Sequence, residues 1–299
     1  NLSRLGANAI LSVSMACARA AAAALLPARD EHAGKWSFGR ALLLCGSVRM
    51  SGAALLAAQG ALRSGAGLVQ LGAVEPVISA ARTAVPECLL LPLSTGDFGV
   101  IARGETWRIL EQSKRASAVL YGCGVRVSDD GFSLLQSLLR QYEGTLVLDA
   151  DGLNLLARRP ELLHEAVSRC VLTPHWGEFC RLAGLSREEL ERDPAGAAMD
   201  FAHRLGAVLV LKGAQTLVTD GDQLWQLDAP NSGMAKGGSG DVLAGLTTGL
   251  CAQDLAPVEA AALAVWLHAR AGALARDALG PYGMLPRDVL AHLPRAFWI

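Results

Sequence analysis

Aromatic residues make up only 5% of the 299 positions, too few for the stacking platforms that bind single-stranded nucleic acid. Net charge is nearly absent as well. With 27 Lys and Arg against 28 Asp and Glu, no polyanion-binding face is expected and nucleic acid is excluded as a partner. No C-x-x-C pair occurs. Cys17, Cys45, Cys88, Cys123, Cys170, Cys180 and Cys251 are scattered, mostly among Ala, Leu and Val, which fits reduced, buried thiols in a cytoplasmic protein better than structural zinc or disulfides. The Ala- and Leu-rich segment Ala7–Leu26 is interrupted by Ser12, Ser14 and Arg19, so it is read neither as a membrane span nor as a signal peptide. It is expected to be a helix on the domain surface, with residues 1–29 a peripheral segment. No Pro- or Gly-rich linker divides the chain, and residues 1–299 are expected to form one domain with a large core, 52% of positions being hydrophobic.

What is present is an alternation. Ala41–Cys45 is an apolar run closed by Gly46-Ser47; a helix over Gly52–Ser64, a glycine turn and a strand over Leu68–Gly72 complete a βαβ unit. The same pattern predicts strands at Cys88–Pro92, Ala118–Tyr121, Thr145–Leu148, Cys170–Thr173 and Val208–Lys212. Helices are predicted near Val77–Ala84, Ala102–Lys114, Gly131–Tyr142 and Gly152–Ala157, and within Arg187–Leu205. Leu217–Asp220 and Leu224–Leu227, around Gly221-Asp222, read as an antiparallel hairpin. Two helices, Asp241–Gln253 and Val258–Ala278, close the chain. The sum is an α/β fold, a doubly wound α/β/α domain around a mostly parallel sheet.

Ligands in such folds collect beyond the carboxyl ends of the strands, and every polar motif falls there: Gly46, Gly122, Asp149, Thr173-Pro174-His175 and Lys212. The richest stretch is Asn231–Gln253. Gly237-Gly238-Ser239-Gly240-Asp241 opens directly into an apolar helix, whose first backbone N–H groups and dipole suit phosphate oxygens; Gly238, Ser239 and Gly240 would line them. Asp241 has two readings: a proton acceptor or metal-steering carboxylate beside the anion, or an acidic residue favouring its own helix terminus. The P-loop and dinucleotide fingerprints are both absent. Lys212-Gly213-Ala214-Gln215-Thr216 sets a cation, small residues and a hydroxyl at a strand end, suited to a nucleotide or simply to solvent. His175 either exchanges a proton or hydrogen-bonds an amide, and Asn154 either orders the cleft or caps a helix turn. Glu178 is a candidate for organising metal water or nucleotide, with an ordinary first-turn role as the alternative.

Asn231–Gly245 resembles the signature of the ADP- or ATP-dependent NAD(P)H-hydrate dehydratases, a branch of the ribokinase-like superfamily. Further segments agree in order: Gly46-Ser47 with Gly52-Ala53-Ala54, Arg63–Gly67, Gly122-Cys123-Gly124, Asp149–Asn154, Thr173–Glu178 and Lys212–Thr216. The resemblance spans roughly residues 30–292. It implies a ribokinase-like three-layer α/β/α sandwich, Mg2+, and ADP or ATP as phosphoryl donor. The implied substrate is hydrated NADH or NADPH in the S form, and a cytoplasmic homotetramer without membrane partners is implied. It carries the adenosine nucleotide to Lys212, Gly213, Ala214, Gln215, Thr216 and Gly240, the hydrated dinucleotide to Ala53, Gly124 and His175, and the catalytic base to Asp241. The chain departs from the family pattern at Met50, Cys123, Trp176, Lys236 and Leu285–Asp288. Lys236, beside the glycines, either strengthens phosphate binding or obstructs it. A thiazole or hydroxymethylpyrimidine kinase of the same superfamily is the alternative reading.

Overall fold

The short apolar runs of the central strands Arg40–Leu44, Ala118–Tyr121, Thr145–Leu148 and Val208–Leu211 are buried on both faces, as parallel strands between helical layers must be. The structure, a computed structural model, describes residues 19–298. The strands are β1 Arg40–Leu44, β2 Leu68–Val74, β3 Leu89–Leu93, β4 Ala118–Tyr121, β5 Thr145–Leu148, β6 Arg169–Leu172, β7 Val208–Leu211, β8 Gln215–Thr219 and β9 Leu224–Asp228. They form one sheet in the order β3-β2-β1-β4-β5-β6-β7-β8-β9. Pairing is parallel from β3 through β7 and antiparallel for β7–β8 and β8–β9, which is the predicted hairpin.

The helices are α1 Ser51–Arg63, α2 Glu75–Ala84, α3 Thr106–Ser113, α4 Asp129–Gln141, α5 Asp151–Leu156, α6 Trp176–Ala183, α7 Arg187–Arg192, α8 Pro194–Leu205, α9 Ser239–Cys251, α10 Pro257–Gly283 and α11 Pro286–Ala296. From β1 the chain winds outward through β2 to β3, then returns to β4 on the other side of β1. The β1/β4 boundary is therefore the switch point, where a crevice opens at the carboxyl ends. Helix α9 is buried all round and packs on α1 almost backbone to backbone. A Cβ on Gly245 would lie 1.9 Å from Ala57 O, and one on Gly60 2.5 Å from Val242 O, so only glycine permits this approach.

Several elements differ from expectation. The helix within Arg187–Leu205 is two helices, because Asp193 leaves helical geometry (φ −152°, ψ 78°), caps Gly196 N and is followed by Pro194 at the new helix start. Ala102–Lys114 begins with a 3-10 turn over Arg103–Glu105 before α3. Three helices, not two, close the chain. The third, α11, starts at Pro286, with Asp288 accepting from Leu285 N at 2.7 Å. Helix α10 breaks at Gly280 (φ 73°), close to its predicted end at Ala278. It is the one described helix long and apolar enough to cross a membrane, and it packs against α9, α11 and the sheet. Of the predicted N-terminal helix, residues 19–25 are helical with Ala22 buried, and Leu26 is a bend; residues 7–18, like Ile299, lie outside the described residues.

Candidate active site

Four strand ends, those of β4, β5, β6 and β7, meet the start of α9. Asp149 follows β5, is 2% exposed, and accepts from Lys212 Nζ at 2.7 Å and from Thr173 Oγ1 at 2.8 Å. Its other oxygen receives the Cys123 thiol at 3.7 Å. The chain turns sharply here: Ala150 has φ 48°, and Gly122 (φ 135°) leaves no room for a side chain, since its Cβ would stand 1.9 Å from Asp149 O. Oxygens of Asp149 and Asp241 and the sulfur of Cys123 all lie within 4.8 Å of one another.

Helix α9 begins without a side-chain cap. Gly238 holds the N-cap position at φ 101°, in the left-handed region that favours glycine. Ser239 N donates to Lys236 O and Val242 N to Gly238 O, while the Gly240 and Asp241 N–H groups meet no acceptor among the described residues. A Cβ on Gly240 would lie 3.2 Å from Lys212 Nζ, so the open helix end sits directly on the Asp149–Lys212 pair. Asp241 stands in this first turn. Desolvation by burial, with the Asp149 charge adding to it, pushes its carboxyl up to about 6. Burial is the largest influence on the Lys212 ammonium and lowers it, but the Asp149 and Glu178 carboxylates and the Asp149 hydrogen bond together raise the group above its usual value. The result is a half-buried carboxylate that changes protonation near neutrality, beside two unclaimed N–H donors.

The structure brings most of the predicted residues together. Gly238, Ser239, Gly240 and Asp241 form the helix start, and Lys212 reaches it through Asp149. Gly124 faces Ala53 across the switch point, where its Cβ would come 3.1 Å from Ala53 Cβ and 2.9 Å from Met50 Cβ. Gly213, Ala214 and Gln215 are exposed on the turn into β8, and Thr216 Oγ1 donates to Gly213 O at 3.0 Å. Thr216 also lines a small apolar cavity of about 100 Å3 with Trp225, Val265 and Trp266.

His175 lies beside Lys212, since Lys212 N donates to Pro174 O and the two residues form an isolated parallel bridge. It is not in an irregular loop, however: it is the N-cap of α6. Its Nδ1 accepts from Gly177 N at 3.0 Å and Glu178 N at 3.3 Å, while Glu178 accepts from His175 N at 2.8 Å. This reciprocal capping box accounts for Glu178 structurally. Asn154 is neither a cap nor part of the cluster. It sits inside α5 and accepts twice from Arg181 of α6, tying the two helices. Lys236 neither reaches toward the helix start nor blocks it, because its Nζ donates to Tyr282 O at 2.8 Å and Met284 O at 2.6 Å. Asp149, Thr173 and Cys123 were not assigned as site residues from sequence; their position after β5, β6 and β4 was the available signal.

Residues 41–295 match the family model of the NAD(P)H-hydrate dehydratases. A bifunctional NAD(P)H-hydrate repair enzyme of Thermofilum pendens is 35% identical over 272 residues, covering 91% of this chain and 52% of that protein. The chain thus spans about half the length of the bifunctional relatives it matches. An ADP-dependent (S)-NAD(P)H-hydrate dehydratase of Xanthomonas campestris is 36% identical over 258 residues, 86% of this chain and 87% of the relative. The ADP/ATP-dependent NAD(P)H-hydrate dehydratase of Bacillus subtilis, co-crystallised with ATP/Mg2+, has a TM-score of 0.79 at 32% identity, covering 92% of this chain and 95% of that one.

Proposed function

This chain belongs to the NAD(P)H-hydrate dehydratase family, with its ribokinase-like α/β/α sandwich, and we propose from that premise that it returns the S form of hydrated NADH and NADPH to the reduced dinucleotide. The reaction uses ADP or ATP and releases phosphate. The observation that carries this reading is Asp241, a carboxylate poised at about 6 beside the uncapped start of α9.

Hydroxide is a poor leaving group, so the added hydroxyl has to be phosphorylated before it departs. Asp241 accepts the hydroxyl proton as the oxygen attacks the terminal phosphoryl group of the nucleotide, whose shortened form leaves. The Gly240 and Asp241 N–H groups face the charge that develops on the transferred phosphoryl oxygens, in a site dry enough to make such donors count. The resulting phosphate ester then eliminates phosphate, and loss of the neighbouring C–H proton restores the ring double bond. One Lys212 donor holds Asp149, and two N–H groups remain for the nucleotide. Ala53 and Gly124 leave the volume a dinucleotide needs and His175 lies on that substrate's side, with Gly213 to Thr216 along the nucleotide side.

Asp149 and Asp241 offer the oxygen ligands that Mg2+ takes alongside phosphate oxygens, and the softer Cys123 thiol is the odd member of the cluster. When bound there, Mg2+ would screen phosphate charge. We further assign the chain to the cytoplasm as a homo-oligomer. The cysteines Cys45, Cys88, Cys123, Cys170, Cys180 and Cys251 are unpaired. A single monomer mass by light scattering at micromolar concentration would overturn the oligomer.

The test supplies hydrated NADPH with Mg2+ and either ADP or ATP, following reduced-dinucleotide absorbance and phosphate release separately. Recovery of absorbance coupled to phosphate is expected, and the better donor settles the nucleotide. A folded sample that binds nucleotide but restores no absorbance with either donor rejects the dehydratase reading in favour of a kinase for thiazole or hydroxymethylpyrimidine alcohols.

A further inference from the structure

The rim of this site beyond the switch point holds large apolar side chains in the open. Phe98 is 82% exposed, with Val48 and Met50 at 48% and 44%. Phe98 sits in the tight turn Asp97–Gly99 that follows β3, and its φ of 60° is a conformation that bulky residues rarely adopt. Arg126, just past Gly124, has φ 64°. The two are tied together: Arg126 Nη1 donates to Phe98 O at 2.9 Å, and Arg126 N donates to Asp151 Oδ2 at 2.8 Å. Val48 N donates to Gly99 O at 3.0 Å, and Met50 packs on Gly124. These bonds and contacts link the Phe98 turn to the Ala53–Gly124 wall. Backbone strain of this kind persists only where the surroundings impose it, and here it goes with an aromatic ring held out in water.

We propose that the Phe98 ring, flanked by Val48 and Met50, is the stacking platform for the adenine ring of the dinucleotide substrate. This rests on the dehydratase reading and adds to it a residue that sets substrate specificity. Adenine is the fully aromatic ring of that substrate, whereas the hydrated nicotinamide ring has gained tetrahedral carbons and lost its flat face. Arg126, two residues past Gly124, sets a guanidinium against the Phe98 turn, where it can meet the pyrophosphate joining the two nucleosides. Apolar side chains and a cation in that order match a base followed by a pyrophosphate.

The test compares wild type with Phe98→Ala, Phe98→Tyr and Phe98→Gly. Binding of NADPH and of reduced nicotinamide mononucleotide, which lacks the adenosine half, is measured by calorimetry. KM and kcat are measured separately with hydrated NADPH. Phe98→Ala is expected to weaken NADPH about tenfold and to raise KM by the same factor, with kcat unchanged and the mononucleotide bound as before. Phe98→Tyr should behave as wild type. Phe98→Gly suits the left-handed backbone but lacks the ring, so it should match the Ala variant. Equal NADPH affinity in wild type and Phe98→Ala would overturn the proposal, as would an equal loss for the mononucleotide. A lower light-scattering mass in Phe98→Ala would also overturn it, assigning the ring to a contact with a second copy of the chain. A protein that binds NADPH through Phe98 yet never dehydrates the hydrate would lose the reaction and keep the platform. Dehydration with unchanged KM in Phe98→Ala would do the reverse.

Discussion

Two helices start at the carboxyl edge of the same sheet, and they start in opposite ways. Helix α6 is closed by its own side chains: His175 Nδ1 takes the N–H groups of Gly177 and Glu178, and the Glu178 carboxylate takes the N–H of His175. Helix α9 opens on Gly238 with no side-chain cap, and the N–H groups of Gly240 and Asp241 stay unclaimed among the described residues. Orphan N–H groups at a buried helix start are costly unless something accepts from them. A protein able to build a capping box at one strand end has left the neighbouring start open, beside a buried Asp–Lys pair. The proposed ligand site rests on this contrast: an open start able to accept phosphate, framed by a closed one.

The largest test of this contrast is Asp241→Asn. Losing the proton acceptor while keeping size should lower turnover about 10²–10⁴-fold. Stability should move the other way. Because the Asp241 carboxyl is raised to about 6, the folded chain holds this proton more tightly than the unfolded chain does. The associated stability is fully present below about pH 4 and is lost as pH rises through about 6. A gap of about two units corresponds to roughly 3 kcal/mol. The ligand-free Asn variant should therefore unfold at higher denaturant than wild type above pH 7, by up to that amount, and at the same denaturant below pH 4. Wild-type turnover should rise with pH through about 6. An Asn variant with near-parent turnover would return Asp241 to the role of an acidic residue at a helix end.

A smaller effect is expected from Gly238→Ala. The new Cβ would stand 2.6 Å from Leu56 Cδ1 and would have to hold φ near 101°, so the helix start should shift at a cost of about 1–3 kcal/mol. Nucleotide affinity should fall about tenfold, equivalent to about 1.4 kcal/mol, as read by calorimetry. Reduced stability with intact nucleotide affinity would mean that phosphate does not sit on this helix end.

Most of the scaffold was legible because it rests on local signals. β4 and β5 lie at the residues where unbroken apolar runs placed them, and Gly221-Asp222 marked the hairpin between β8 and β9. The open helix start was legible too, since glycines followed by an apolar run have few other uses. What escaped was either long-range or disguised. Nothing local says that Lys212 would spend its charge on Asp149, 63 residues away, or that Lys236 would turn back to the carbonyls of Tyr282 and Met284. Helix α6 was hidden because Thr173-Pro174-His175 reads as a turn; histidine is an uncommon cap, and only Glu178 three residues on gave the box away. The break at Asp193-Pro194 was written in the sequence as a cap followed by a helix-starting proline, yet the surrounding helical pattern masked it.

The smallest expected effect decides how far the contrast extends to His175. Its Nδ1 is committed to the cap, while Nε2 stands 3.5 Å from Glu178 Oε1 in a side chain that is 56% exposed, and its backbone is bridged to that of Lys212. If the residue is scaffold alone, His175→Ala should cost about 1 kcal/mol, as cap losses do, and His175→Ser should restore most of that because serine caps well. Turnover should then follow stability, with both variants within a few-fold of wild type under conditions where they are folded. If Nε2 also touches the substrate, the serine variant separates the two roles: thermal unfolding returns to the parent value while KM for the hydrated dinucleotide stays raised. We expect this second pattern, with a modest rise in KM and no change in the pH at which turnover increases, because that pH belongs to Asp241. A serine variant that recovers both stability and KM would make α6 a closed helix start with no part in binding, and would leave α9 as the ligand-facing one of the pair.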